Sequence, residues 1–144
     1  MRLFDVNILI YAHRQDQVHH EFYREQLESM INESEAFGLS TPAAAAFLRI
    51  VTHPAFPNGP TPLSQALAVI ESMADLPNCY WINPGTRHWH LLAELCRSTR
   101  SKGKQVADAQ HAAVAIENAC TWVTRDEDFT SFTGQGLRLE LLKP

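Results

Sequence analysis

A chain of 144 residues has the size of one compact domain, and 45% hydrophobic with 19% charged residues rules out a disordered chain, a coiled coil and a small disulfide-dependent scaffold. The net charge of -4 argues against an extended basic coat for nucleic acid while leaving room for a local basic rim around an acidic pocket. Cys79, Cys96 and Cys120 are odd in number and lack C-x-x-C spacing, so they read as small core residues and not as a disulfide or zinc framework.

In chain order, Leu3, Phe4 and Val6 form a short apolar run that predicts a first strand, with Asp5 and Asn7 at its end. Phe22, Tyr23, Leu27, Met30 and Ile31 recur at helical spacing between His19 and Ser34. Ala36–Leu39 predicts a second strand, and Thr41-Pro42 supplies the start signal of a helix carrying Phe47, Leu48, Ile50 and Val51. The segment from Pro54 to Pro62 holds four prolines and a glycine and reads as a rigid surface loop. Thr61-Pro62 then opens a helix through Leu63, Ala66, Leu67, Ile70 and Ala74.

Cys79–Ile82 predicts a third strand, followed by a helix from about Thr86 through Trp89, Leu92, Ala93 and Cys96. Val106–Asn118 is an alanine-rich amphipathic helix, with Asn118 suited to the left-handed turn that ends it. Thr121–Thr124 is β-branched and aromatic, hence a strand, and Leu137–Leu142 alternates as a last edge strand. This alternation predicts a single α/β domain over residues 1–144, with a central, mostly parallel twisted sheet of four to five strands and helices on both faces. No run approaches the ~20 apolar residues of a membrane span, and no basic flank precedes a cleavable apolar segment. A soluble, cytoplasmic protein is expected.

Four of the six aspartates fall at element boundaries: Asp5 after the first strand, Asp108 at a helix start, and Asp126 and Asp128 after the TWVT strand. Parallel strands bring their carboxyl ends to one rim, where ligands of such sheets bind, so the four carboxylates are expected to converge. Singly, Asp5 also fits an Asx turn, Asp108 a first-turn acid favoured by the helix dipole, and Asp126 a turn residue. Jointly they would repel one another unless a cation neutralised them, and hard oxygen donors select Mg²⁺ or Mn²⁺. Asn7 and Thr124 can support such a site by hydrogen bonding or serve as local turn formers. Metal-assisted hydrolysis of a phosphodiester is the chemistry such a cluster performs.

The segments LFDVNILIYA, FLRIVTHPAF and VADAQHAAVAIENACTWVTRDEDF, in this order and spacing, resemble the PIN-domain ribonucleases, specifically VapC-type toxins of bacterial toxin-antitoxin pairs. The most specific piece is the last, where an aspartate near a helix start precedes an alanine-rich helix, an apolar strand and T-x-D-x-D-F. The resemblance implies a PIN fold, a Mg²⁺-dependent endoribonuclease for which Mn²⁺ can substitute, structured RNA as substrate, a homodimer, and a VapB-like antitoxin covering the active site. It assigns Asp5, Asp108 and Asp126 to metal binding, Asp128 to an accessory acid, and Asn7 and Thr124 to support. One departure stands out: where the family commonly has a glutamate, this chain has Ala43, Ala44, Ala45 and Ala46, with Glu35 too early and Glu71 too late to replace it.

Phosphate contacts supply most RNA affinity, so cations are expected near the acids. Arg97, Arg100, Lys102 and Lys104 form an acid-free basic run that is either this rim or a solvated loop, and Arg125 and Arg49 are further candidates, Arg49 also fitting a structural ion pair. His19-His20 and His88/His90 lack zinc-site spacing; His111, three residues after Asp108, shares its helix face and reads as a contact to RNA or to a metal-bound water, or as a surface residue with no role. Two competing readings remain: a catalytically weak PIN-fold module that keeps antitoxin binding, and a metal-dependent phosphatase or phospho-acceptor domain on a similar doubly wound sheet.

Overall fold

A computed structural model describes residues 1–144. Five strands, β1 (Arg2–Phe4), β2 (Phe37–Ser40), β3 (Cys79–Ile82), β4 (Thr121–Thr124) and β5 (Arg138–Leu141), form one sheet in the order β3-β2-β1-β4-β5. Every neighbouring pair is parallel. Six α-helices connect them: α1 (Val6–His13), α2 (His20–Asn32), α3 (Thr41–Val51), α4 (Leu63–Ala74), α5 (His88–Thr99) and α6 (Lys104–Glu117). A 3-10 helix, Glu127–Gln135, lies between β4 and β5. Helices α1 to α4 pack on one another, and α5 with α6 forms the second layer. This is the α/β architecture with a parallel sheet that the alternating pattern predicts. No helix is long and apolar enough to cross a membrane.

The core is one cluster of 31 buried residues, with Trp122, Phe4, Phe37, Phe47 and Phe129 among its largest side chains. The central strands β1, β2 and β4 are almost wholly buried, as expected where helices cover both faces of a parallel sheet. Cys120 belongs to this core, whereas Cys79 and Cys96 are only half-buried; all three are free thiols.

The structure corrects several local expectations. β1 stops at Phe4, and Val6 begins a helix that the sequence pattern had not revealed. The segment VNILIYAH is rich in β-branched residues and apolar nearly throughout, so it carries neither helical periodicity nor strong helix propensity; its packing against α2 and α3 decides its conformation. Ser40, not Thr41, caps α3, its Oγ accepting from the Ala43 N–H at 3.4 Å. Pro62 rather than Thr61 occupies the cap position of α4. The left-handed residue after α6 is Ala119, at φ 52°, while Asn118 keeps negative φ and donates its side-chain amide to the Val114 carbonyl.

The proline-rich loop is tied down at its base. Arg14 pairs with Asp16, donates to Thr61 Oγ1 and the Pro57 carbonyl, and stacks over the Phe56 ring at 4.6 Å.

Gly38 sits in β2 between the two flanking strands, where an added Cβ would meet Leu3 Cδ2 at 2.6 Å and Ile82 Cγ1 at 2.7 Å. Leu3 is fully buried, so its side chain must repack within the core to admit the added methyl. Gly38→Ala is therefore expected to destabilise the fold by roughly 1–3 kcal/mol through overpacking. The check is a lower urea midpoint with an unchanged m-value.

Candidate metal centre

The chain's path through the sheet reverses at β1: it moves outward to β2 and β3, then crosses over to β4 and β5 on the other side. A crevice opens at such a switch point, beyond the carboxyl ends of β1 and β4. Asp5 follows β1 directly, occupies the position before α1 without a side-chain cap bond, and is 6% exposed. Its backbone N–H donates to the Val123 carbonyl at 2.8 Å, which locks the two strand ends together.

Thr124, the fully buried last residue of β4, is the hub of the polar network. Its hydroxyl donates to Asp5 Oδ2 at 2.5 Å and accepts from the Asp126 backbone N–H at 3.0 Å. Asn7, on the first turn of α1, donates its amide to the same Asp5 oxygen at 2.9 Å and lies 3.3 Å from Thr124 Oγ1. Asp126 caps the 3-10 helix by accepting the Asp128 backbone N–H at 2.9 Å. The turn-forming and site-building readings of these residues are therefore compatible: the local bonds aim the carboxylates.

Asp108 arrives from α6. The helix begins at Lys104 and not at Val106, so Asp108 lies one turn inside it and is no first-turn acid. Carboxylate oxygens of Asp108, Asp126 and Asp128 lie within 4.8 Å of one another, and no other group of histidine, cysteine or acidic residues comes together in this way. Asp5 stands outside that trio, linked to Asp126 through the Thr124 hydroxyl.

The carboxyls respond first to burial and then to their charged neighbours. Burial pushes the Asp5 carboxyl up from 3.8 to about 6, opposed by its Thr124 hydrogen bond and reinforced by Asp108 and Asp126. Burial also raises Asp108, against the pull of Lys104. For Asp126 burial is the largest single influence, yet the Asp128 N–H, Lys104 and Arg125 together outweigh it and lower the carboxyl. Lys104 Nζ lies 3.1 Å from both Asp108 and Asp126, drawn between two of the three clustered acids. An all-oxygen donor set that has already drawn in the nearest side-chain cation fits a hard divalent ion such as Mg²⁺ or Mn²⁺.

Of the other expected rim cations, Arg97 pairs with Glu94 and Arg100 takes a left-handed conformation at the end of α5. Lys102 offers its backbone N–H to Gln105 in the turn before α6. Arg125 stacks over the Tyr11 ring at 4.0 Å. Arg49 lies in the last turn of α3 and borders a different depression with Ile50, His53 and Phe56; it makes no ion pair. His111 is half-buried: its ring stacks on Trp122 at 5.4 Å, and burial lowers its pKa.

On α3, Ala43 and Ala44 are buried in the core, Ala45 is exposed and Ala46 half-buried, so this helix brings no acid. Two residues absent from the expected set, Tyr11 and Lys143, line the hollow beside the acids together with Asn7, Arg125, Asp126, Glu127 and Asp128. Tyr11 lies one helical turn beyond Asn7, a signal visible only once α1 is known to be a helix.

The raised Asp5 pKa couples folding to protonation of this carboxyl. The folded, metal-free protein holds this proton more tightly than the unfolded chain, so stability from this group is present at low pH and lost as pH rises from about 4 to about 6. Asp5→Asn keeps an oxygen to accept from Thr124 and Asn7 but cannot ionise. It is expected to raise the melting temperature of the metal-free protein at about pH 7.5 by several degrees, corresponding to at most ~3 kcal/mol, and to change little at about pH 4. Thermal melts of both proteins in chelator at the two pH values provide the check.

The PIN domain family model matches residues 2–134. VapC ribonuclease Mb2897 of Mycobacterium bovis is 36% identical over 132 residues, covering 92% of this chain and 90% of the relative. Ribonuclease VapC31 of Mycobacterium tuberculosis is 33% identical over 132 residues, at 92% and 93% coverage. Among solved structures, VapBC2 from Rickettsia felis bound to a promoter DNA fragment superposes with a TM-score of 0.70 at 17% identity, covering 99% of this chain and 98% of that one. VapC20 of Mycobacterium tuberculosis, described as a sarcin-ricin loop cleaving toxin, gives 0.69 at 12% identity with full coverage of both chains. The chain belongs to the PIN-domain family, within its VapC ribonuclease branch.

Proposed function

We propose that this chain is an endoribonuclease toxin that hydrolyses phosphodiester bonds of structured RNA with Mg²⁺ or Mn²⁺ and is neutralised by a VapB-like antitoxin. The observation that carries the reading is the meeting of Asp108, Asp126 and Asp128 oxygens at the switch point of the sheet, with Asp5 locked behind them by Thr124. Asp108, Asp126 and Asp128 would hold the cation, and Asp5 would add charge from the floor of the crevice. When bound, the divalent ion supplies Lewis-acid polarisation of the phosphodiester and of an attacking water.

The protein's own part is positioning and charge. The Thr124 hydroxyl and the Asn7 amide fix the Asp5 carboxylate in one orientation. The Asp126 carboxylate is fixed by the Asp128 N–H, so it needs little reorganisation to accept a ligand. Lys104, two-thirds exposed, is free to swing from the carboxylates toward an arriving phosphate. With the clustered carboxylates engaged in holding the cation, direct attack by water is the route the donor set supports.

A groove of about 290 Å³ between α1, α2 and α4, lined by Leu9, Leu27, Ile31, Val69 and Met73 with Arg24 and Glu28 at its edge, suits an apolar segment of the antitoxin. A homodimer and a cytoplasmic location are further parts of the proposal, carried by the kinship alone. The alternative of a weakly catalytic binding module draws on one observation, the absence of any carboxylate on α3.

RNA cleavage is the deciding assay. With Mg²⁺ or Mn²⁺ the wild type is expected to cut ribosomal and transfer RNA at least about a hundredfold faster than Asp5→Asn, and chelation is expected to abolish the difference. Equal rates for the two proteins that are also insensitive to chelation would leave only the binding-module reading.

Lys104 supplies a second test. Because its ammonium competes with a metal ion for Asp108 and Asp126, Lys104→Gln is expected to tighten Mn²⁺ binding by about threefold to tenfold, the effect of removing a partly exposed ion pair. Calorimetric titration reads the affinity, and an unchanged or weaker value would show that the lysine does not contend for the site.

A further inference from the structure

Beside the carboxylates lies an open hollow of about 470 Å³ bordered by Asn7, Tyr11, Arg125, Glu127 and Lys143 as well as the acids Asp126 and Asp128. Two features of its walls are unusual for a surface next to an acidic cluster. The Arg125 guanidinium stands 4.0 Å over the Tyr11 ring and 5.4 Å from that of Tyr23, yet its side chain makes no hydrogen bond and no ion pair, although it neighbours three acids in sequence. The face of the guanidinium is held by the aromatic rings, and its N–H edge is left without a protein acceptor.

Lys143 reaches the same hollow from the other side. The tail after β5 continues along β4, with the Leu142 N–H donating to the Thr124 carbonyl at 2.8 Å, and the buried Tyr23 hydroxyl donates to the Leu142 carbonyl at 3.2 Å. Tyr23 therefore ties down the tail that carries Lys143 and also flanks Arg125. The lysine's partner is Glu127, and both side chains are at least half exposed, so the pair is readily exchanged for a more strongly charged anion. Lys143 and β5 lie beyond residue 134, where the family match ends.

We propose that Arg125, held flat over Tyr11, and Lys143 of the C-terminal tail form a phosphate subsite that grips the RNA backbone next to the scissile bond. The assignment rests on the ribonuclease reading above. A guanidinium fixed on one face loses little entropy when its edge binds a phosphate, and a flexible ammonium opposite it adds charge without fixing geometry. Together they offset the repulsion that the aspartates would exert on a polyanion, and they set the strand's position along the crevice. Tyr11 is a positioning residue, acting through Arg125.

The test uses the full chain carrying Asp5→Asn, so that cleavage does not distort binding, and a fluorescein-labelled ten-nucleotide oligouridylate read by anisotropy in Mg²⁺ over a range of salt. Arg125→Ala and Lys143→Ala are each expected to weaken binding roughly fivefold or more, and each to reduce the slope of log affinity against log salt by about 0.7. Tyr11→Phe keeps the ring and is expected to bind like the parent, whereas Tyr11→Leu weakens binding as Arg125→Ala does. Arg138→Gln removes the same charge at the opposite end of β5 and is expected to have no effect.

Unchanged binding by Arg125→Ala and Lys143→Ala would overturn the subsite. So would an equal loss in Arg138→Gln, which would mean that only overall charge matters. Lys143 lies on an exposed tail, so its variant decides the matter even if Arg125→Ala unfolds. Cleavage assays with Asp5 restored separate the two proposals. Failure of the subsite leaves a metal-dependent cleavage difference intact, and failure of the ribonuclease reading leaves charge-specific binding without cleavage.

Discussion

Mutual repulsion among the aspartates at the β1–β4 crevice is the constraint on which the rest of the site depends. Separately, an aspartate after a strand or at a helix cap is ordinary. Gathered so that three share a space with oxygens within 4.8 Å, they concentrate negative charge beside the buried Asp5, and the carboxyls of Asp5 and Asp108 are raised first by burial and then by their acidic neighbours. The fold holds them there by local hydrogen bonds that cost little once the sheet has formed. Thr124 gives its hydroxyl proton to Asp5 and its lone pair to the Asp126 N–H, so a single buried side chain fastens the two strand ends whose acids oppose each other. Lys104 relieves part of the remaining tension, but from an exposed position where an ion pair is worth little. A divalent cation is a far better complement to this field than a flexible ammonium.

The packing beneath the site explains why the crevice holds its shape. Trp122, one residue from the hub pair Val123 and Thr124, is fully buried between the His111 ring and Phe129. His111 belongs to the helix that carries Asp108, and Phe129 follows Asp128, so one indole links three of the acid-bearing elements. Arg125 and the tyrosines form a second stack on the opposite flank, joining α1, α2 and the C-terminal tail.

Much of this was legible in the sequence, and the reasons differ by feature. The helices α2 to α6 carry apolar residues at regular spacing, and the strands are short apolar runs, so their order gave the parallel sheet, and topology then placed Asp5 and Asp126 at one rim. α1 was hidden because VNILIYAH is apolar on nearly every face; no periodicity survives when a helix is short and packed on both sides. Its absence from the sequence reading also concealed Tyr11. The basic run Arg97–Lys104 looked uniform as a string of charges, yet the turn before α6 directs only Lys104 to Asp108 and Asp126. Lys143 had no sequence signal at all, because its position depends on β5 pairing with β4 and on a hydrogen bond from a tyrosine 119 residues away in sequence from Leu142.

The most direct examination of the central claim is anomalous scattering from crystals soaked in Mn²⁺. The account predicts a peak within ~2.0–2.3 Å of oxygens from Asp108 and Asp126, the distance of carboxylate coordination, with the Lys104 ammonium displaced from between them. A crevice that stays free of anomalous density at saturating Mn²⁺, with the lysine still bridging the two carboxylates, would contradict it.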